Sequence, residues 1–418
     1  MILSRMSDLK APPHRPLHLF EGFGVELEYM IVDRESLKVR PIADQVLQAA
    51  AGELTNEIER GALAWSNELV MHVIELKTNG PAAGLTGLAD VFQNDVRAIN
   101  ELLAPLNACL LPSAAHPWMD PHTETRLWPH DDATIYNAFN RIFDCRGHGW
   151  SNLQSVHLNL PFGTNDEFVR LHAAIRLVLP LIPGLAAASP FLDGRATGLL
   201  DSRLEAYRKN CAKIFSVTAH VIPEPVESID DYHKRILEWI YNDLAPYDPE
   251  GVLRYEWANA RGAIARFERQ TIEIRVVDIQ ECPLADLAVV RAIACVVQGF
   301  CAGDDGLRRR IKALASDQLL DSLLKTTCQG ENAVIDDAAY LACLDVPGPL
   351  RVADIWKELV ARFGGLSGPE AMAFEQILTH GTLATRMQRL TGPVTPQSLH
   401  TTCRALCQCL QDGHMLIP

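Results

Sequence analysis

Two carboxylates, Glu26 and Glu28, stand two residues apart in the stretch GVELEYMIVD, alternating with Val25, Leu27 and Tyr29. In an extended strand that spacing sends both acids to one face and the three apolar side chains to the other. Like charges so close repel, and burial of an apolar face does not require them. A divalent cation would, because it needs several hard oxygen ligands side by side.

Three further stretches follow the same plan. VIELKTN (73–79) sets Glu75 and Lys77 against Ile74 and Leu76, and SVHLNLPF (155–162) sets Ser155, His157 and Asn159 against Val156, Leu158 and Leu160. QTIEIRVVD (270–278) opposes Thr271, Glu273, Arg275 and Val277 to Ile272, Ile274 and Val276. An antiparallel sheet with one solvated side would account for any one of these strands. Four alike, carrying Glu, His, Asn and Arg where a solvated face mixes Lys, Thr, Ser and Gln, point to a shared site. Carboxylates and one imidazole without thiolates suit Mg²⁺ or Mn²⁺. Mg²⁺ held by few protein ligands completes its shell with substrate phosphates and water, and Arg275 is placed to meet a phosphate oxygen. The expected chemistry is nucleotide-dependent phosphoryl transfer. Neither a GxxxxGK[ST] loop nor a strand-to-helix GxGxxG turn occurs, so a nucleotide is expected on the sheet itself.

The elements that hold these strands are legible in outline. The chain has 418 residues, 48% hydrophobic and 22% charged, which is ordinary for a globular protein. Pattern alternation mixes strands and helices from His18 to about Asp278; beyond Ala285 it is almost wholly helical, through ADLAVVRAIACVVQGFCA, RRRIKALASDQLLDSLLK, ADIWKELVARFGG and PQSLHTTCRALCQCLQD. The expected fold class is α+β: residues 1–17 a loose lead-in, 18–300 a sheet-based catalytic region, 301–418 a helical region packed on it. A net charge of −14 excludes a broad basic face for nucleic acid. No uninterrupted apolar run has the length of a membrane span, and the N-terminal residues lack the apolar core of a signal peptide, so a cytoplasmic protein is expected. Eleven cysteines occur without paired CxxC spacing and read as reduced thiols.

The segments GVELEYMIVD, NELVMHVIELKTN, SVHLNLPF, ASPFLDGRATGLLDSR and TIEIRVVD, in that order, resemble the glutamate–cysteine ligase family, and within it the bacterial carboxylate–amine ligase branch. The resemblance covers residues 20–300. It implies a glutamine-synthetase-like fold, a curved antiparallel sheet forming a half-open funnel backed by helices. It also implies ATP and Mg²⁺ as cofactors, phosphorylation of a carboxylate, and displacement of phosphate by an amine to give an amide. The substrates implied are small molecules, an amino-acid carboxylate (often glutamate) and an amine (often cysteine), and a homodimer is the assembly expected of such an enzyme.

By the same resemblance Glu26, Glu28, Glu75, His157 and Glu273 correspond to metal ligands, and Arg275 to the arginine on the ATP phosphate. The family's second strand histidine is Asn159 here, which offers an amide to the cofactor. Arg203 in GLLDSR corresponds to an arginine that enters the site. Arg261 and Arg266, in ANARGAIARFERQTIE, are candidates for holding substrate carboxylate or phosphate, although extra residues separate Arg266 from Thr271. Glu68 joins only if the chain turns between it and Glu75, since seven residues of continuous strand would place the two on opposite faces.

The histidine-rich stretch HPWMDPHTETRLWPHDD, with His116, His122 and His130, and the residues that follow to Trp150, read as a long loop and candidate lid. Asp278 is read as a helix cap or as a partner orienting Arg275. Two other functions fit parts of the pattern: a guanidine kinase, and a degenerate ligase serving as a binding protein.

Overall fold

The computed structural model describes residues 15–131 and 133–417, so most of the expected lead-in lies outside the described residues. Strand β1 (Gly24–Asp33) is followed by β2 (Glu57–Arg60), β3 (Leu63–Asn67), β4 (Val73–Thr78), β5 (Ala108–Leu111) and β6 (Ser155–Pro161). A small hairpin of β7 (Phe191–Leu192) and β8 (Arg195–Ala196) precedes β9 (Ala263–Arg266) and β10 (Thr271–Asp278). All but that hairpin build one antiparallel sheet in the order β2-β3-β4-β1-β6-β10-β9, with β5 also paired to β1. Met30 pairs with Val73 of β4 and with Leu111 of β5, so β5 and β6 lie end to end along the same edge of β1.

Period-two alternation is realised as the sequence predicts. Val25, Leu27, Tyr29, Ile74, Leu76, Val156, Leu158, Leu160, Ile272 and Ile274 are all buried. Behind them stand helices Leu88–Leu103, Asn165–Val178 and Pro283–Cys301, the last tied to the sheet by the Tyr29 hydroxyl, which donates to Asp286. The exception is the C-terminal half of β10. Its register with β6 slips between Ile274 and Val277, a bulge that bends the strand. Val276 and Val277 are consequently both buried, rather than Val277 facing the site.

The helical pattern beyond Ala285 is also found, with one break: RRRIKALASDQLLDSLLK divides at Leu314 and Ala315 into Asp305–Ala313 and Ser316–Gln329. The main apolar cluster runs from Val25 to Leu416, so the sheet and the C-terminal helices share a core. A fully buried ion pair, Arg386 with Glu281, fastens them, and Leu416 adds backbone bonds to both partners. Among the described residues one helix, Pro283–Cys301, is long and apolar enough to cross a membrane, yet 72% of its apolar window is buried inside the protein.

Buried histidines make this core sensitive to acid. His172 packs edge-on to Tyr232, its Nε2 without a hydrogen-bond partner among the described residues, and burial, reinforced by Arg176, Arg261 and Lys312, pushes its pKa down to about 3. The unfolded chain takes up this proton near pH 6.5 and the folded chain does not, so stability falls as pH drops from about 6.5 towards 3. His172→Phe, which fits the aromatic surroundings, is expected to flatten that fall by about 3–5 kcal/mol. Thermal midpoints of both proteins between pH 7 and 4 check this; parallel curves would contradict it.

Candidate active site

Cross-strand register assembles the site. In β1, Glu26 lies directly between Lys77 of β4 and His157 of β6, and Glu28 opposes Glu75. Asn159 lies between Gly24 and Glu273. Directly opposed residues point to one side of an antiparallel sheet, so these groups form a continuous polar face. Gly24 is required here: a Cβ would fall 2.9 Å from that of Asn159.

His157 is the hub. Its Nδ1 bonds Glu26 Oε2 at 2.8 Å, and its Nε2 lies 3.1 Å from Ser155 Oγ and 3.7 Å from Glu28 Oε1. Burial opposes the charge, but the Glu26 hydrogen bond and the Glu28 charge raise its pKa to about 9. Burial is the largest influence on Glu26 and opposes its charge, but the hydrogen bond and charge of His157 together with the charge of Arg269 overcome it and hold the carboxyl at about 2. Ser155 donates through its backbone N–H and its hydroxyl to Glu28 Oε2, at 2.6 and 2.9 Å. Lys77 Nζ reaches Glu75 at 3.0 Å and Glu57 at 2.9 Å. The face is thus less starved of cations than the sequence suggests, because Lys77 and His157 stand among its acids.

One ligand atom each from Glu26, Glu75 and His157 lie within 4.8 Å of one another. Ligands of one Mg²⁺ stand roughly 3–4 Å apart, so small side-chain movements would close this group around an ion. The donor set is carboxylate oxygen and imidazole with no thiolate, which fits Mg²⁺ or Mn²⁺. Glu68 sits in the reversal between β3 and β4 and faces the same space. Burial, then the charges of Glu28 and Glu75, push its carboxyl well above the usual range. The turn that the sequence required for Glu68 is therefore present.

Glu273, only 1% exposed, is held between two arginines. Arg275 donates to its Oε1 at 2.6 and 3.1 Å, and Arg266 to its Oε2 at 2.9 Å. Burial opposes ionisation, but Arg275 and then Arg266 hold Glu273 well below the usual carboxylate range. The extra residues after Arg266 are the turn between β9 and β10, which restores the register Arg266 opposite Thr271. Asn159 gives its amide to Glu26 at 3.1 Å and accepts from Thr271 at 3.3 Å, so it braces Glu26 rather than presenting a free oxygen.

Two expectations are corrected. Arg261 lies apart from this face, fully buried, with a bidentate pair to Glu224 (2.6 and 2.7 Å) and bonds to Ser216 O and Asn259. Every guanidinium nitrogen already has a partner there, which leaves none turned to the carboxylate face. Asp278 neither caps the next helix, whose N-cap is Cys282, nor touches Arg275. It accepts from the Ala188 N–H, from Ser189 Oγ and from Arg203 Nε.

That contact aims Arg203, on helix Ser202–Lys209, into a cavity of about 270 Å³ that opens beside Glu28 and His157. Tyr207, one turn on, lies beside Arg275. Helix His148–Ser151 crosses so near that a Cβ on Gly149 would meet the Ala206 carbonyl oxygen at 2.5 Å, which seats Trp150 against the same cavity. Tyr136 and Phe139 come from helix Ala133–Phe143, in the stretch expected to be a loop. Ile135, Phe139 and Ile142 there carry helical spacing that the neighbouring prolines and tryptophans masked.

The histidines of that stretch do not converge. His116 donates to Leu37 O, His130 faces Asp44, and His148 faces Asp193, while the exposed His122 lies in the short helix capped by Asp120. Cys145 is buried, and burial lifts its thiol to about 12, which is no nucleophile.

The sequence pattern described as Glutamate-cysteine ligase family 2 matches residues 22–323. An uncharacterized protein of Archaeoglobus fulgidus is 31% identical over 399 residues, 94% of this chain and all of that protein. A protein of Ectopseudomonas mendocina, provisionally named glutamate–cysteine ligase 2, is 27% identical over 43% of this chain and 45% of that one. Among solved structures, glutamate–cysteine ligase of Francisella tularensis in complex with AMP superimposes with a TM-score of 0.52 at 12% identity, covering 93% of this chain and 88% of that one. A bifunctional glutathione synthetase of Pasteurella multocida gives 0.53 at 13% identity, over 93% of this chain and 53% of that chain. These two share the α+β fold of an antiparallel sheet backed by helices.

Proposed function

Since the chain belongs to Glutamate-cysteine ligase family 2, we propose that it is an ATP- and Mg²⁺-dependent carboxylate–amine ligase that forms an amide through an acyl phosphate. Its substrates are a small amino-acid carboxylate and an amine. The observation that supports this reading is the single face on which ligand atoms of Glu26, Glu75 and His157 come within 4.8 Å of one another while Arg275 bonds Glu273 beside them.

Glu26, Glu75 and His157 would hold Mg²⁺, with Glu28 and Glu273 close enough to complete its surroundings. When bound, the ion supplies neutralisation of phosphate charge and polarisation of the transferring group. Arg275, fixed by Glu273 and Tyr207, meets the developing negative charge on the γ-phosphoryl group. The substrate carboxylate oxygen attacks the γ-phosphorus, the bridging P–O bond breaks, and ADP leaves with the electron pair. A free amine then attacks the acyl carbon, a C–N bond forms, the C–O bond to phosphate breaks, and phosphate departs with the amine proton. The wall of Tyr136, Phe139 and Trp150 keeps water from the acyl phosphate.

The test is a pairwise screen of amino acids with ATP and Mg²⁺, following ADP and product mass. ADP release that requires both partners, with a product lighter than their sum by one water, is expected. A stable phosphorylated guanidine without amide would instead indicate a guanidine kinase, and no nucleotide turnover with any pair would indicate a binding protein.

A further inference from the structure

We propose that the cavity beside the carboxylate face takes the amine-bearing substrate, and that this substrate is an amino acid with an aromatic side chain, its carboxylate on Arg203 and its ring against Phe139, Trp150 and Trp257. This rests on the ligase reading above and narrows it.

The cavity has three kinds of wall. One is cationic: Arg203 is 2% exposed, its Nε is given to Asp278, and its Nη2 has no hydrogen-bond partner among the described residues. A buried donor without an acceptor costs about 1–3 kcal/mol, and a ligand carboxylate would satisfy it. The reacting carboxylate belongs at the cation position and Arg275, so the group that Arg203 holds is a second, unreactive one. A second wall carries carboxyl groups, with Glu28 and Glu68 lining the cavity where an amino group would sit.

The third wall is aromatic. Phe139 lies 5.3 Å from Trp150 and 5.9 Å from Trp257, ring centre to ring centre. Trp150 Nε1 already donates to Asn210 O, and the hydroxyl of the neighbouring Tyr136 accepts from Asn67. The ring faces of Phe139, Trp150 and Trp257 give the cavity a largely carbon surface on this side. A side chain as short as that of cysteine would leave most of that surface against water, forfeiting roughly 25 cal/mol for each Å² left uncovered. An aryl group covers it and gains ring–ring contact of about 0.5–1.5 kcal/mol per pair. A cavity of about 270 Å³ suits a ligand of amino-acid size, not a folded polypeptide.

The experiment is calorimetric titration of the full chain, with Mg²⁺ and a non-hydrolysable ATP analogue present, by L-phenylalanine, L-tyrosine, L-cysteine and phenethylamine. The aromatic amino acids are expected to bind at least tenfold more tightly than cysteine. Phenethylamine, which lacks the carboxylate for Arg203, should fall at least tenfold behind phenylalanine. Phe139→Ala and, separately, Trp257→Ala should erase the preference over cysteine; both side chains are only partly buried, so the fold is retained. Equal or tighter binding of cysteine, or a ranking that both variants leave intact, overturns the proposal. ADP release with glutamate as carboxylate partner separates the two readings. Turnover that prefers cysteine sinks the aromatic assignment alone. Absence of turnover with every pair sinks the ligase reading, and the binding order still decides the cavity.

Discussion

Replacing Glu273 by Gln lowers kcat by roughly 10³-fold, the scale seen when one preorganised charge partner is removed from a transition state. The geometry gives the reason. Arg275 donates to one Glu273 oxygen and Arg266 to the other, so both guanidinium groups are oriented by one carboxylate. Glutamine keeps the volume but has a single acceptor oxygen, and its amide hydrogens confront one arginine. That arginine swings away from the phosphoryl position, and the metal face loses a negative charge. The backbone ladder of β10 is unaffected, so circular dichroism should be unchanged. Turnover within a few-fold of the parent would refute the role given to Glu273 and Arg275.

Glu26→Gln is the second large effect. Glu26 touches His157 at 2.8 Å and Asn159 at 3.1 Å, and it is one of the three residues proposed to hold the cation. Losing one carboxylate ligand and its orienting contact typically weakens metal binding 10–100-fold. The Mg²⁺ concentration for half-maximal ATP turnover should rise by about that factor, with nucleotide affinity at saturating Mg²⁺ nearly unchanged. An unaltered Mg²⁺ requirement would remove Glu26 from the metal site.

The sheet was legible because its signal is local. Alternation along five to ten residues assigns each side chain to a face, and Glu26, Glu75, His157 and Glu273 meet on the face so assigned. What alternation cannot give is the partner a side chain finds far along the chain. Arg261 looked available because Glu224, which neutralises it, lies 37 residues away. Arg203 and Asp278 are 75 residues apart, and no pattern in either segment announces their pairing. The bulge in β10 likewise arises from pairing with β6, and it breaks the alternation at Val277 for a reason outside its own segment. The aromatic wall was missed for a different cause: prolines at 117, 121 and 129 made a loop the natural reading, and they obscured the helix that begins at Ala133.

Everything assigned to the site depends on a divalent cation joining the carboxylates when nucleotide arrives. Calorimetry of the metal-stripped chain with a non-hydrolysable ATP analogue addresses this directly. Saturable binding that appears only with Mg²⁺, and that Glu26→Gln shifts to higher Mg²⁺ concentration, is the predicted result. Equal binding with and without Mg²⁺, or none under either condition, would contradict it.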